Sequence, residues 1–294
     1  MSRRAKVWTA LWAVYIIWGS TYLFIAITVE TIPPLAAVST RFICAGLILA
    51  AIVLRRGGTM RVSPRELASC VLIGCLLPGA NAVLFFAERD VPTGLASLLI
   101  ASVPLLVVLL RLWGRERLRP RALVGVGVGF AGVAVLLNPS GGATTTGVLL
   151  CMLSALMWSV GTVASARLAM PRDAFAATAW EMLTGGTLML PWCIADAGGL
   201  SPSLGSGLAW VYLVTIGSVV GYTAYTWLLA HAPLSTVSTY AYVNPVVAIL
   251  LGVLFRNEHL TWQILAGAAI VVAAVAVVVR QEPPAATALE EGVR

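Results

Sequence analysis

Long apolar stretches without internal period dominate this chain. Residues 7–29, 67–87, 91–110 and 260–279 contain no Asp, Glu, Lys or Arg. A helix that crosses a bilayer needs about 20 apolar residues to span roughly 30 Å of hydrocarbon, and these stretches have that length. Two longer charge-free stretches carry their own punctuation. Residues 122–166 are divided by Asn138-Pro139-Ser140-Gly141-Gly142, and residues 197–255 by Ser201-Pro202-Ser203 and His231-Ala232-Pro233, all turn-forming combinations. The pattern predicts ten helices, near 7–28, 34–54, 67–87, 93–111, 122–138, 146–167, 174–194, 208–230, 235–255 and 261–280. Strands of an outer-membrane barrel would alternate apolar and polar positions over about ten residues. These stretches are apolar on every face, so that reading is excluded.

The pattern also repeats. Pro92, Pro104, Glu116, Leu118 and Gly125 are matched 141 to 142 residues later by Pro233, Pro245, Glu258, Leu260 and Gly267. Upstream, at an offset of 140, Trp18 pairs with Trp158, Arg41 with Glu181 and Gly46 with Gly186. The sequence reads as a duplication, with a first repeat over 7–138, a second over 146–280, and a tail over 281–294. Five crossings per repeat force the second copy into the opposite orientation, which is an architecture of transporters. The expected fold class is therefore an all-α integral membrane protein, ten transmembrane helices as two inverted five-helix repeats. The tail, with two prolines and three carboxylates, is expected to be disordered and cytoplasmic.

Composition agrees with a bilayer as solvent: 60% of residues are apolar and 11% charged, with a mean hydropathy of +0.94. The net charge of +7 would suit nucleic acid, but its placement assigns it to topology and no nucleic-acid partner is expected. Sixteen of the 19 Lys and Arg residues fall in the termini and in the connections after helices two, four and six. Arg89 and Arg256 fall on the other side and Arg41 within a span. The positive-inside rule then places both termini in the cytoplasm of a multi-pass plasma-membrane protein. The first helix is too long for a signal peptide and lacks a cleavage pattern. The five cysteines, all in or near spans, suit packing better than a disulfide framework.

Several chemistries lack their residues. Lys6 is the single lysine, so no phosphate-binding loop ending in Gly-Lys can be built. His231 and His259 stand at separate helix ends without the companions a zinc site needs. No metal site, cofactor or catalytic residue is expected, and the chain does not read as an enzyme. Gly127, Gly129 and Gly132 satisfy Gly-x-Gly-x-x-Gly, but inside a span and without the strand a dinucleotide site requires. Small residues at that spacing let membrane helices approach closely, Gly125 and Gly129 being the expected pair.

Charge within a span costs about 2.5–3.5 kcal/mol on insertion scales, so each instance needs an account. Arg41 and Glu181 are the two, each about seven residues into its helix. In inverted repeats they lie roughly 10 Å apart in depth and are not expected to pair. Snorkelling or a helix-end contact is the structural alternative for both, while Glu181 is the one candidate for proton coupling. Uncharged polar and aromatic residues collect in helices one, three, four, six, eight and nine. From them the expected substrate contacts are Trp18, Ser20, Asn81, Trp158, Tyr222, Tyr240 and Asn244, with Ser97, Ser102, Thr162, Tyr225 and Tyr242 nearby in sequence. Each alone could be interhelical glue; together they describe an aromatic-walled chamber. Pro104 and Pro245 occupy equivalent places, where a missing N–H and a ring clash would kink each helix into a hinge or a fixed bend.

Trp18-Gly19-Ser20, with the two Pro-to-Gly blocks and their elements Glu116-Arg117-Leu118 and Glu258-His259-Leu260, resembles the EamA family of the drug/metabolite transporter superfamily. The resemblance covers residues 8–280, with Ser159 standing where the first repeat has Gly19. It implies a ten-helix bundle of inverted repeats around a central cavity. It also implies export of amino acids, related metabolites or toxic compounds, and Glu116 and Glu258 as structural elements at helix ends. The expected partners are the lipid bilayer and a small-molecule substrate, the protein being a monomer or a homodimer. A facilitator or exporter working by alternating access is the leading expectation. A non-transporting scaffold or receptor, or an intramembrane enzyme, is the alternative.

Overall fold

The computed structural model describes residues 2–115, 120–136, 143–196, 201–232, 234–237 and 239–281. Among these, all regular structure is helical: α1 Arg3–Thr28, α2 Pro34–Arg55, α3 Pro64–Ala87, α4 Thr93–Ile100, α5 Val103–Trp113, α6 Pro120–Leu136, α7 Thr145–Ser165, α8 Ala174–Asp196, α9 Leu204–Tyr212, α10 Gly221–His231, α11 Leu234–Val237, α12 Tyr240–Arg256 and α13 Trp262–Gln281. A π-helical segment, Leu213–Val220, joins α9 to α10. Six helical stretches among the described residues are long and apolar enough to cross a membrane: α1, α2, α3, α4 with α5, α7, and α9 through Leu228.

Helix starts follow local chemistry. Ser63 and Glu66 form a capping box at α3, and Ser2, Thr144 and Ser203 each accept a hydrogen bond from the first turn of α1, α7 and α9. Such caps satisfy backbone N–H groups that have no partner within the helix. The start of α4 differs, because Pro92 precedes it and offers no side-chain acceptor.

Three expected helices depart from simple rods. The one predicted near 93–111 is two pieces, α4 ending at Ile100 and α5 beginning at Val103. Pro104 therefore lies in the first turn of α5 rather than at mid-helix. There its missing N–H costs nothing, and Ile100 O is the carbonyl it would otherwise have reached. The helix predicted near 208–230 starts earlier, at Leu204, and contains the π segment. The one predicted near 235–255 is divided, and Pro245 lies inside the continuous α12. The two prolines, equivalent in sequence, thus have different structural settings.

Packing pairs α2 with α8, α6 with α13, α3 with α7 and α8, and α1 with α10 and α12. Close approach depends on glycine at the α1–α12 crossing: a Cβ on Gly19 would stand 2.6 Å from Val247 Cβ. Within the Gly-x-Gly-x-x-Gly stretch, Gly129 fits against Leu105 of α5 and Gly132 against Ile270 of α13. These glycines serve helix packing, though Gly132 does so as well as Gly129.

Connections gather at two ends. At one end Thr144 N donates to Asp90 O at 3.0 Å, Ser203 N to Thr31 Oγ1 at 3.0 Å, and Arg256 pairs with Glu30 at 2.6 Å. At the other, Arg3 donates to His231 O at 3.2 Å and Trp180 Nε1 to Met60 O at 3.0 Å. Large apolar side chains such as Trp12, Ile16, Leu47, Leu149, Leu208 and Leu250 project outward. Exposed tryptophans Trp8, Trp113, Trp192 and Trp262 stand near helix ends, the level at which indole rings favour a bilayer interface. The protein is a multi-pass membrane protein.

Candidate functional site

A cavity of about 130 Å³ lies among α1, α2, α3, α4, α5, α7, the π segment, α10 and α12. An apolar hollow of about this size accepts a single small ring. Its wall on α1 is formed by Trp18, Thr21, Tyr22 and Ile25, spaced to fall on one helix face. On α12 it is Tyr240, Ala241, Asn244 and Pro245, and on α7 Ser154 and Trp158. Both halves of the chain thus contribute.

Of the seven expected contacts, Trp18, Asn81, Trp158, Tyr222, Tyr240 and Asn244 line this cavity, as do Pro104 and Pro245. Ser20 does not. Its hydroxyl donates to Ile17 O at 2.9 Å and meets the Tyr212 hydroxyl at 2.7 Å, so it ties α1 to α9. The stripe Trp18, Thr21, Tyr22, Ile25 carries the signal that separates them: Ser20 is about 200° around the helix from Trp18.

One wall is an aromatic cluster. The Trp18 ring centroid stands 5.5 Å from Tyr222, 5.0 Å from Tyr225 and 5.1 Å from Tyr240, and Tyr225 and Tyr240 meet edge to face at 5.8 Å. Edge-on contacts of this kind contribute about 0.5–1.5 kcal/mol beyond area burial. The cluster requires α10 to come close to α1, and Gly221 permits it: a Cβ there would lie 2.7 Å from Trp18 Nε1.

The opposite chemistry is supplied by Arg41. Its side chain is only 4% exposed and lines the cavity, so it does not snorkel. Nε donates to Ser218 Oγ of the π segment at 3.0 Å, whereas Nη1 has no hydrogen-bond partner. The guanidinium carbon lies 5.1 Å from the Phe42 ring and 5.9 Å from the Phe85 ring, close enough for a cation–π contribution. Asn244 is also buried, and its Oδ1 is unpaired. Asn81 Nδ2 is satisfied by Leu77 O at 3.3 Å.

Glu181 is partly buried and is not among the lining residues. Its backbone carbonyl faces Gly74 at the α3–α8 contact, and its carboxylate lies within electrostatic range of Cys70 on α3 and of Tyr222 on the cavity wall. It is not hydrogen-bonded to Arg41.

Near the break between α4 and α5, Ser159 Oγ donates to Ala155 O at 2.7 Å and to Val103 O at 3.3 Å, so α7 braces the interruption. Irregular backbone at membrane depth is tolerated where it is enclosed by protein or lines a cavity, and Ile100, Ala101, Val103 and Pro104 do line it.

At the end where Glu30 and Arg256 pair, two further carboxylates matter. Glu258 accepts from Thr93 N at 2.6 Å and Gly94 N at 3.0 Å, so it caps α4, which Pro92 leaves uncapped. The structural role expected of Glu258 is the one it has here; Glu116 lies outside the described residues. Glu88, just past α3, is 5% exposed, and neither carboxylate oxygen has a partner. Burial, helped by the nearby Glu258 charge and opposed by Arg256, holds its carboxyl well above the usual range.

Comparison with known proteins gives a consistent result. The model of the EamA-like transporter family matches residues 7–138 and 145–280. An Escherichia coli K12 protein named "Uncharacterized inner membrane transporter YedA" is 37% identical over 96% of this chain and 95% of its own length. "Uncharacterized transporter YvbV" of Bacillus subtilis is 26% identical over 92% of each. A solved structure titled only "Crystal structure of protein" has the same fold, with a TM-score of 0.67 and 24% identity over 94% of this chain and 98% of that one.

Proposed function

The chain belongs to the EamA-like transporter family, and from that premise we propose that it moves a small organic solute across the plasma membrane by alternating access. The moving architecture is ten spans in two inverted five-helix repeats, with both termini cytoplasmic and export as the direction. The observation that carries the reading is the cavity, walled by α1–α5 from one half and by α7, the π segment, α10 and α12 from the other. A site between two halves is the one to which each side of the membrane can be given access in turn. The relative's printed siting in an inner membrane supports the plasma membrane as the location.

Transport is facilitated rather than proton-driven on this reading. Glu181 lies off the cavity wall and acts in packing, while Pro104 at the break between α4 and α5 and Pro245 within α12 shape the cavity and serve as its hinges. A scaffold or receptor without transport would show no flux, so the same assay separates the two.

Comparing metabolites released by cells overexpressing and cells lacking the protein identifies the solute, and its labelled form is then followed in proteoliposomes. The expected result is saturable flux that Asn81→Ala and Tyr222→Ala each reduce by roughly tenfold or more, about the worth of one lost polar or aromatic contact. Unchanged affinity and rate in both variants, with normal folding, sinks the site. Uphill accumulation under an imposed pH gradient, abolished by Glu181→Gln, sinks the facilitator reading and makes Glu181 the coupling group.

A further inference from the structure

The cavity's electrostatics are one-sided. Among the described residues, Arg41 is the only group of permanent charge on its wall, and none that lines it is Asp or Glu. A guanidinium with 4% exposure is ordinarily matched by a carboxylate, because an isolated buried charge costs several kcal/mol. Here the Ser218 hydroxyl satisfies Nε, two phenyl faces lie within 6 Å, and Nη1 is left without a partner while the side chain faces the cavity. The protein holds an incomplete ion pair at its transport site.

Resting on the cavity reading above, we propose that the solute is a small organic monoanion whose carboxylate completes that pair on Arg41. Its apolar or aromatic body packs against Trp18, Tyr222 and Tyr240. The guanidinium edge matches the two oxygens of a carboxylate. A single cation balances a single negative charge, so a phosphorylated dianion would carry one charge into the cavity uncompensated. A zwitterionic amino acid would bring an ammonium group for which the wall has no carboxylate. The unpaired Asn244 Oδ1 takes a neutral donor such as a hydroxyl. The volume of about 130 Å³ limits the body to roughly one ring. Aromatic cages can also bind cations, but here Trp18, Tyr222 and Tyr240 share their cavity with Arg41, which repels one.

Benzoate, benzamide and benzamidinium share one shape and differ in charge, so they are the probes. Binding of each to the purified protein in nanodiscs is measured by calorimetry, for the parent and for Arg41→Gln and Arg41→Lys. The parent should favour benzoate over benzamide by roughly ten- to hundredfold, the range for hydrogen bonds to a charged group. Arg41→Gln should bring the two within about twofold, and Arg41→Lys should keep a preference for the anion. With no ligand present, Arg41→Gln should melt no lower than the parent, because it removes an unsatisfied buried charge. Benzamide or benzamidinium binding as well as benzoate overturns the proposal, and so does an anion preference that survives Arg41→Gln. If those two probes bind and Asn81→Ala weakens them, the cavity stands and only the anion assignment falls. If none of the three binds, both fall.

Discussion

Replacing Glu258 with alanine should loosen the junction between the two halves at one end of the bundle. Helix α4 begins with N–H groups that have no partner inside the helix, and Pro92 cannot cap it. Glu258, more than 160 residues away in sequence, accepts from two of them, Thr93 N and Gly94 N. An unsatisfied buried polar group costs about 1–3 kcal/mol. The carboxylate is half-buried, so water can reach part of the junction and each loss should fall toward the lower end of that range. Adding about 0.5 kcal/mol for the lost charge at the helix N-terminus, Glu258→Ala should cost about 2–4 kcal/mol. Glu258→Gln keeps one acceptor oxygen and should cost about half as much. Thermal unfolding in detergent, followed by near-ultraviolet circular dichroism, reads the difference as a fall in Tm of several degrees for Ala and less for Gln. Equal Tm values for parent and Ala would refute the capping argument. Gln as damaging as Ala would show that charge, not hydrogen bonding, holds the junction.

Two further outcomes follow from the same end of the molecule and from its topology. Because burial raises the Glu88 carboxyl, its neutral form is the one the fold favours. Its stabilising share is complete below the ordinary carboxylate range and is lost as pH rises through the raised folded value. The groups facing it are Tyr22 on α1, Cys151 on α7, Arg256 at the end of α12 and Glu258 just after it. Glu88→Gln should therefore gain Tm over the parent progressively with rising pH, and parallel Tm–pH curves would refute this. Reporter fusions after residue 140 and after residue 172 should read outside and inside respectively, and the reverse would overturn the orientation.

Much of the fold was legible because bilayer physics writes long, simple signals. A run of twenty apolar residues has few alternatives to a spanning helix, and α1, α2, α3 and α7 lie close to their expected bounds. Pro104 shows where this stops. Its missing N–H can be absorbed by a kinked helix or by a full interruption, and tertiary support decides between them. That support is Ser159 of α7, whose hydroxyl reaches Val103 O, 56 residues earlier in the chain. The cavity was legible because polar and aromatic residues inside spans are expensive, so six of the seven named on that ground converge. Arg41 was judged by the depth of its Cα, but a long side chain can run along the helix to Ser218, 177 residues away, and sequence spacing carries nothing of that path.

The facilitator reading and the anion assignment bear on each other through the membrane potential. Moving one elementary charge through 100 mV is worth about 2.3 kcal/mol, and a monoanion leaving a negative-inside cell moves down that gradient. At equilibrium that corresponds to roughly a fiftyfold concentration ratio across the membrane. A carrier of such a solute needs no buried carboxylate cycling a proton at the transport site, and the described lining residues include none. What it does need is a countercharge that lowers the cost of bringing the anion into the bilayer without being neutralised beforehand. An arginine with one nitrogen satisfied by Ser218 and another left open meets both conditions. A Glu or Asp partner on the wall would have quenched it, and the anion would then have had to displace that partner before it could bind.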